Sequence, residues 1–279
     1  MTDWAVGLST GCLYHYKLND VLEPVRAKGF HQIETGANRE HFDYDDPVSV
    51  SHVRESLQKL GLKTLSFHCP FGDHIDISSP DKKMRSESVN EILRAVRAAA
   101  VIDAKFFLLH PGPEKEGKLT DGHYFRRLKS CLYSLERIFV TCREYHLELI
   151  LENMLPHLYL GGPEDILWLI GKMESGIPGI CLDTGHANTS RNASDMYRRF
   201  SRHVRMLHVH DNHGNEDEHL IPGNGDIKWA ELFQLMKSQD YNGALMLEIG
   251  SGDKESTEEI LERAVKGRSF LLDAMKKLS

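Results

Sequence analysis

The sequence predicts an α/β fold, one (β/α)8 TIM barrel occupying residues 1–279 as a single domain. Three observations predict it. Eight short apolar or β-branched runs recur along the chain, with the length and composition of buried parallel strands. Segments of helical period separate them, and strand–helix alternation through eight cycles closes most simply as a barrel. Polar side chains close most of the runs, at the end where a barrel places its βα loops.

The strands are expected at 4–9, 30–34, 63–68, 105–110, 148–152, 179–183, 204–210 and 244–249. The first runs into Ser9-Thr10-Gly11-Cys12. This turn lacks the Gly-x-Gly-x-x-Gly cradle of an open, doubly wound nucleotide-binding sheet. After the third strand, Val89, Ile92, Leu93, Val96 and Ala100 recur at helical spacing; after the fourth, Phe125, Leu128, Leu132, Leu135 and Ile138 do the same. The last helix is led by Ser256-Thr257-Glu258-Glu259, a capping-box pattern, and continues through Ile260, Leu261, Ala264, Val265, Leu271 and Leu272. Trp168 and Trp229 fall among helical apolar positions and read as core. Arg198, Arg202 and Arg205, at i, i+4 and i+7, read as a solvated helix face. The longest irregular segment, 211–226, exceeds ordinary connection lengths, a trait of functional loops. Its Gly223 and Gly225 are expected to bend it back on itself.

With 34 Lys and Arg against 41 Asp and Glu, the net charge is −7. It confers no general attraction for nucleic acid or anionic lipid. No apolar run approaches the ~18 residues of a membrane span. The opening MTDWAVGLST has neither the basic start nor the apolar core of a signal peptide. Five cysteines without a Cys-x-x-Cys spacing suit a reduced, cytoplasmic protein. Cys181, sharing a strand face with Asp183, reads as a small interior side chain. The sixteen histidines are the unusual feature, since imidazole is the commonest metal ligand.

Read in order, the strand ends supply a selective list: Ser66-Phe67-His68-Cys69-Pro70, Leu109-His110-Pro111-Gly112, Leu151-Glu152-Asn153, Leu182-Asp183-Thr184-Gly185-His186, Leu207-His208-Val209-His210-Asp211 with Asp217 and His219 beyond, and Leu247-Glu248-Ile249. His208 and His210, two apart on a strand, share a face. Any one of these has an ordinary explanation. His68 alone is a hydrogen-bonded histidine, Glu152 or Glu248 alone a carboxylate paired with lysine, and Asp183 alone a helix cap. Six successive strands ending this way point instead to a shared divalent cation, which neutralises carboxylates and uses imidazole lone pairs together.

Those motifs, together with His68-Cys69-Pro70-Phe71, Asp183-Thr184-Gly185-His186-Ala187 and 217–225, resemble the xylose-isomerase-like TIM-barrel superfamily over nearly the whole chain. The superfamily also contains the type IV apurinic endonucleases. The resemblance implies a cation held by Glu152, Asp183, His208 and Glu248, with His186 polarising the substrate. It implies further ligands at His68, His110, His186, Asp217 and His219 if the centre is multinuclear, as in the endonuclease branch.

Two activities follow. The preferred one is a metal-dependent sugar or sugar-phosphate isomerase or epimerase working through an enediolate, with Glu152 and Glu248 as base and acid and His186 stabilising charge. The alternative is a multinuclear zinc phosphodiesterase of the apurinic endonuclease type, the only reading that makes nucleic acid a partner. Zn²⁺ or Mn²⁺ is expected first, with Co²⁺ or Mg²⁺ admissible. The partner is a small sugar or sugar derivative, with no membrane involved; a homo-oligomer, dimer or tetramer, is in keeping with such barrels.

Overall fold

The computed structural model describes residues 4–115, 120–190, 192–252 and 254–278. Eight parallel strands close into a barrel in sequence order: β1 (Val6–Ser9), β2 (Gln32–Gly36), β3 (Lys63–His68), β4 (Phe106–Leu109), β5 (Glu148–Glu152), β6 (Gly179–Asp183), β7 (Val204–Val209) and β8 (Ala244–Leu247). β1 completes the ring by pairing Val6 with Leu245. Around them lie α1 (Leu18–Ala27), α2 (Pro47–Leu60), α3 (Lys82–Val101), α4 (Asp121–Glu144), α5 (Pro163–Lys172), α6 (Thr184–Ser190), α7 (Ala193–Phe200), α8 (Trp229–Ser238) and α9 (Thr257–Lys276). The 9–12 turn becomes one turn of 3-10 helix, Thr10–Leu13.

Local chemistry sets the helix starts. Asp46 accepts from the Val48 and Ser49 amides ahead of Pro47 at the first position of α2. Ser256 and Glu259 form the expected capping box at the start of α9.

Strand alternation sorts the core into two parts. Phe107, Leu109, Leu149, Leu151, Ile180, Leu182, Leu207, Val209, Leu245 and Leu247 face the helices. Phe106, Leu108, Ile150, Cys181, Met206 and Met246 fill the barrel interior as an apolar floor. Moving two residues along four of these strands leads from Ile150 to Glu152, Cys181 to Asp183, Met206 to His208 and Met246 to Glu248. The polar layer therefore stands directly above the apolar one, on the same inward files.

Some expectations need correction. Several strands differ from the expected spans by one or two residues at an end: β1 begins at Val6, β2 runs on to Gly36, and β7 stops at Val209. Frayed ends of this kind carry little weight. The three arginines do not share a helix. α7 ends at Phe200, so Arg198 pairs with Asp195 and Glu231 from the helix while Arg205 binds Glu148 from β7. Phe125 is 54% exposed, outside the apolar face of α4. Trp229 is buried as expected, and Trp168 is packed against the core with part of its surface open. All five cysteines are free and buried. Among the described residues, no helix is long and apolar enough to cross a membrane.

The long segment after β7 is an ordered loop organised by one side chain. Asp211 is fully buried. Its carboxylate accepts from the amides of Asn212 (3.0 Å), Gly223 (2.8 Å) and Ile227 (3.1 Å) and from the Trp229 indole (2.8 Å). Its backbone makes a two-way bridge with Leu220 at 2.9 Å in each direction. Gly223, at φ +94°, makes the turn back, and Gly225 packs where a Cβ would lie 2.5 Å from the Asp211 carboxylate. Removing the acceptor leaves several buried donors unpaired. Asp211→Ala is therefore expected to cost about 3 kcal/mol or more by urea denaturation; a loss below about 1 kcal/mol would contradict this account of the loop.

Candidate metal centre

The C-terminal mouth of the barrel gathers every residue that the strand ends nominated. At its centre Glu152, Asp183, His208 and Glu248 each offer one donor atom, all within 4.8 Å of one another. His208 Nδ1 lies 2.8 Å from Glu248 Oε2, 3.1 Å from Glu152 Oε1 and 3.9 Å from Asp183 Oδ2. On one side, His68 Nε2 and His110 Nε2 stand 3.5 and 3.2 Å from Glu152 Oε2, forming a second compact group with it. On the other, His186 Nε2 and His219 Nε2 meet Asp217 Oδ2 at 3.2 and 3.0 Å.

The histidines are aimed by hydrogen bonds. His68 Nδ1 bonds the Cys69 carbonyl (3.0 Å), His186 Nδ1 that of Asn153 (2.9 Å) and His219 Nδ1 that of Glu248 (3.1 Å). A carbonyl can only accept, so each Nδ1 carries its hydrogen and Nε2 is presented to the carboxylates. Asp183 is fixed as well. Its amide donates to Asn153 Oδ1 (2.9 Å), its carbonyl accepts from Asn153 Nδ2 (3.1 Å), and its Oδ1 accepts from the His186 amide (2.6 Å). The capping and ligand readings of Asp183 are thus compatible, because the cap occupies Oδ1 and leaves Oδ2 on the cluster.

Three residues here were not among the nominated ligands. His210 sits with Nε2 3.0 Å from Asp183 Oδ2, its ring stacked 4.0 Å from that of His219, and it forms a third compact group with His219 and Glu248. The strand spacing that links it to His208 was its signal. Gly185 makes room for it, since a Cβ there would lie 2.0 Å from His210 Cε1. Glu34, closing the second expected strand, reaches His208 Nε2 at 3.0 Å. Asn153 steadies Asp183 as described.

The electrostatics are those of strongly coupled charges. Burial opposes ionisation of Glu152, but His208, His110 and His68 outweigh it and hold its carboxyl well below the usual range. Burial likewise opposes charge on Asp217 and Glu248, overcome by His186 and His219 for the first and by His208 and His219 for the second. The histidines shift the other way. Burial would lower His186, yet Asp183, Asp217 and Glu152 raise it to about 10; His219, similarly opposed by burial, rises to about 9 beside Asp217 and Glu248. The metal-free site therefore uses imidazole protons as its counter-charge.

These donors fit a divalent cation. An ion bound at roughly 2.1 Å needs donors within about 4.2 Å of each other, close to the spacing of the central four. Three buried atoms at the mouth, His110 Nδ1, His210 Nδ1 and Asp217 Oδ1, have no hydrogen-bond partner among the described residues. Such groups are unusual unless an ion or water completes them. Three carboxylates with imidazole suit Mn²⁺ or Zn²⁺ chemistry.

Beside the cluster lies a cavity of about 400 Å³ walled by Tyr14, Asn38, Arg39, Tyr44, Phe71 and His74, among others. The ring of Phe71 lies 4.9 Å from that of His68 and 5.7 Å from that of His110, so cavity and cluster share a wall.

Comparison with known proteins agrees with this architecture. The family model described as xylose isomerase-like TIM barrel matches residues 22–272. The chain belongs to that family. Among its relatives, the uncharacterized protein MJ1311 of Methanocaldococcus jannaschii is 26% identical, over 93% of this chain and 89% of that one. A crystal structure described as a D-tagatose 3-epimerase-like protein is 25% identical, with a TM-score of 0.85 and 98% of each chain covered. A D-psicose 3-epimerase crystallised in the presence of D-fructose shares the fold at a TM-score of 0.82 and 16% identity, over 97% of this chain and 99% of that one. Structural neighbours of this family member therefore include sugar epimerases.

The charges at the mouth make a pH prediction. His186 and His219 bind protons more tightly folded than unfolded, where histidine titrates near 6.5. Their contribution is complete below that value and lost as pH rises through 9 to 10. The Tm of chelator-treated protein should fall over this interval, and fall less in His186→Asn. The Tm increment from added Zn²⁺ should instead grow from pH 5.5 to 8, because the cation displaces imidazole protons. A Zn²⁺ increment that shrinks on raising the pH would refute this charge assignment.

Proposed function

We propose that the protein is a divalent-metal-dependent epimerase or isomerase of a small sugar. The observation that carries the reading is the pair of carboxylates, Glu152 and Glu248, meeting at His208 Nδ1 from β5 and from the end of β8. Moving a carbon-bound proton next to a carbonyl requires one group to take it and another to return it. The two sites are unequal: the Glu152 side chain is 2% exposed and that of Glu248 20%, so the second faces the mouth where substrate arrives. The surrounding histidines keep both carboxylates ionised, the form needed to accept a proton. The bound cation would act as a Lewis acid toward charge developing on the substrate's carbonyl oxygen. Glu152, Asp183, His208 and Glu248 would hold it. His186, whose Nε2 meets Asp217 beside this group, would stabilise the same oxygen by hydrogen bonding. The likeness to a D-tagatose 3-epimerase-like protein over 98% of the chain supports this choice.

The cavity beside the cluster suits the remainder of a small polyol and is within the size range of small-molecule sites. Among the residues lining it, Tyr14 and Phe71 offer apolar surface to sugar C–H groups, and Asn38 and His74 hydrogen-bonding atoms to hydroxyls. Arg39 is already engaged by Asp45 and Glu91, each at 2.5 Å. A phosphate would have to compete for it, so an unphosphorylated sugar is the preferred substrate.

The His68–His110–Glu152 group favours a second reading, a multinuclear phosphodiesterase acting at abasic DNA. Metal content separates the two: about one ion per chain supports the epimerase and about three, with cleavage of abasic-site DNA, the hydrolase.

The decisive measurement is exchange of the substrate's α-proton with D₂O, followed by NMR over a panel of free and phosphorylated ketopentoses and ketohexoses. Glu152→Gln should fold normally and lose exchange by about 10²–10⁴-fold. Wild-type exchange rates in that variant would end the epimerase assignment. Free ketoses should be turned over in preference to their phosphates.

A further inference from the structure

We propose that Glu34, from a strand that contributes none of the expected ligands, is the positioning residue that orients His208 and strengthens it as a metal donor. This rests on the metal-site reading above.

Glu34 is 1% exposed, deep in the barrel. Its Oε1 accepts from Ser9 Oγ (3.0 Å) and its Oε2 from Ser66 Oγ (2.7 Å), with His208 Nε2 3.0 Å from the same Oε2. A carboxylate so placed is costly unless its oxygens are met by donors. Two hydroxyls supply part of that compensation, and the imidazole N–H supplies the rest. Its placement is built into the sheet. The β2–β3 register shifts between Ile33 and Glu34, an irregularity that pairs Glu34 with Ser66 and directs both into the barrel. Register irregularities of this type commonly re-aim a side chain beside a site.

The two nitrogens of His208 then have separate tasks. Nδ1 faces Glu248 and Glu152, so it is the nitrogen that can give its lone pair to a cation. The ring hydrogen of the metal-binding tautomer is on Nε2, where Glu34 accepts it. His68, His186 and His219 are oriented through neutral backbone carbonyls. His208 alone among the expected histidine ligands is backed by an anion through the ring nitrogen remote from the cluster. A charged acceptor makes a stronger hydrogen bond than a neutral one and raises the donor power of the opposite nitrogen. Glu34 therefore touches neither cation nor substrate and acts through His208.

The test compares metal-stripped wild type, Glu34→Gln and Glu34→Ala by Zn²⁺ titration against a competing chelator, with the Tm of each metal-free protein and the visible spectrum of each Co²⁺ form. Glutamine keeps the shape of the side chain and removes its charge, so it serves even if the alanine variant does not fold. Glu34→Gln should bind Zn²⁺ 10–100-fold more weakly than wild type and alter the Co²⁺ spectrum. Wild-type affinity in Glu34→Gln, or a lowered metal-free Tm with affinity intact, would assign Glu34 a purely structural role and overturn the proposal. Wild type that binds no Zn²⁺ or Co²⁺ would remove the metal-site reading and this inference with it. Metal binding by wild type with Glu34→Gln unaffected removes this inference alone.

Discussion

Negative charge held inside the barrel mouth is the constraint on which the rest of the structure depends. Glu34, Glu152 and Asp183 are fully buried and Glu248 lies at the rim beside them. Each buried carboxylate would cost several kcal/mol without a counter-charge. Among the described residues, lysine and arginine do not meet this need at the cluster; the pairs there are all with histidine. Imidazole can hold a proton against the carboxylates or surrender it and bind a cation with the same nitrogen. A layer of histidines around carboxylates therefore has two ways of neutralising itself, by imidazole protons or by a cation that the same nitrogens could bind.

Such a layer works only if the rings cannot turn away. Three histidines donate Nδ1–H to backbone carbonyls of Cys69, Asn153 and Glu248, and all three carbonyls belong to residues one step from a candidate ligand or to the ligand itself. The scaffold and the site are thus the same stretch of backbone. The loop carrying Asp217 and His219 is tied down differently, through the four donors gathered by Asp211. Its length permits reach across the mouth, and the buried carboxylate removes the disorder that length would otherwise bring. Beneath all of this, Met206, Met246, Cys181 and Ile150 form a buried apolar floor, a low-dielectric surface that strengthens the interactions of the charges above.

Much of this was legible residue by residue. The eight strands and their order followed from apolar runs and intervening helical periods, and all nine nominated residues converge at one mouth. Strand parity explains the convergence of those at the strand ends, because a residue two positions beyond an interior apolar one must also point inward. Arg198 and Arg205 show the limit of the same reasoning. A spacing that suits one helix was divided between a helix and a strand, since periodicity carries no record of where Phe200 ends the helix. Phe125 fits the apolar pattern of its helix and still faces solvent, because the pattern does not say how wide a stripe the neighbours cover.

By itself, then, the sequence determined the barrel, the inward file of each strand and the inventory of charged groups at its mouth, all consequences of local geometry repeated along the chain. Only the tertiary structure decided which nitrogen of each histidine faces the carboxylates, that His210 joins them over Gly185, and that Glu34 stands behind His208. Those relations join strands far apart in the chain and depend on barrel closure and a shifted register between β2 and β3. The register shift has no local signature, because it is set by pairing between two strands rather than by the spacing of residues along either one.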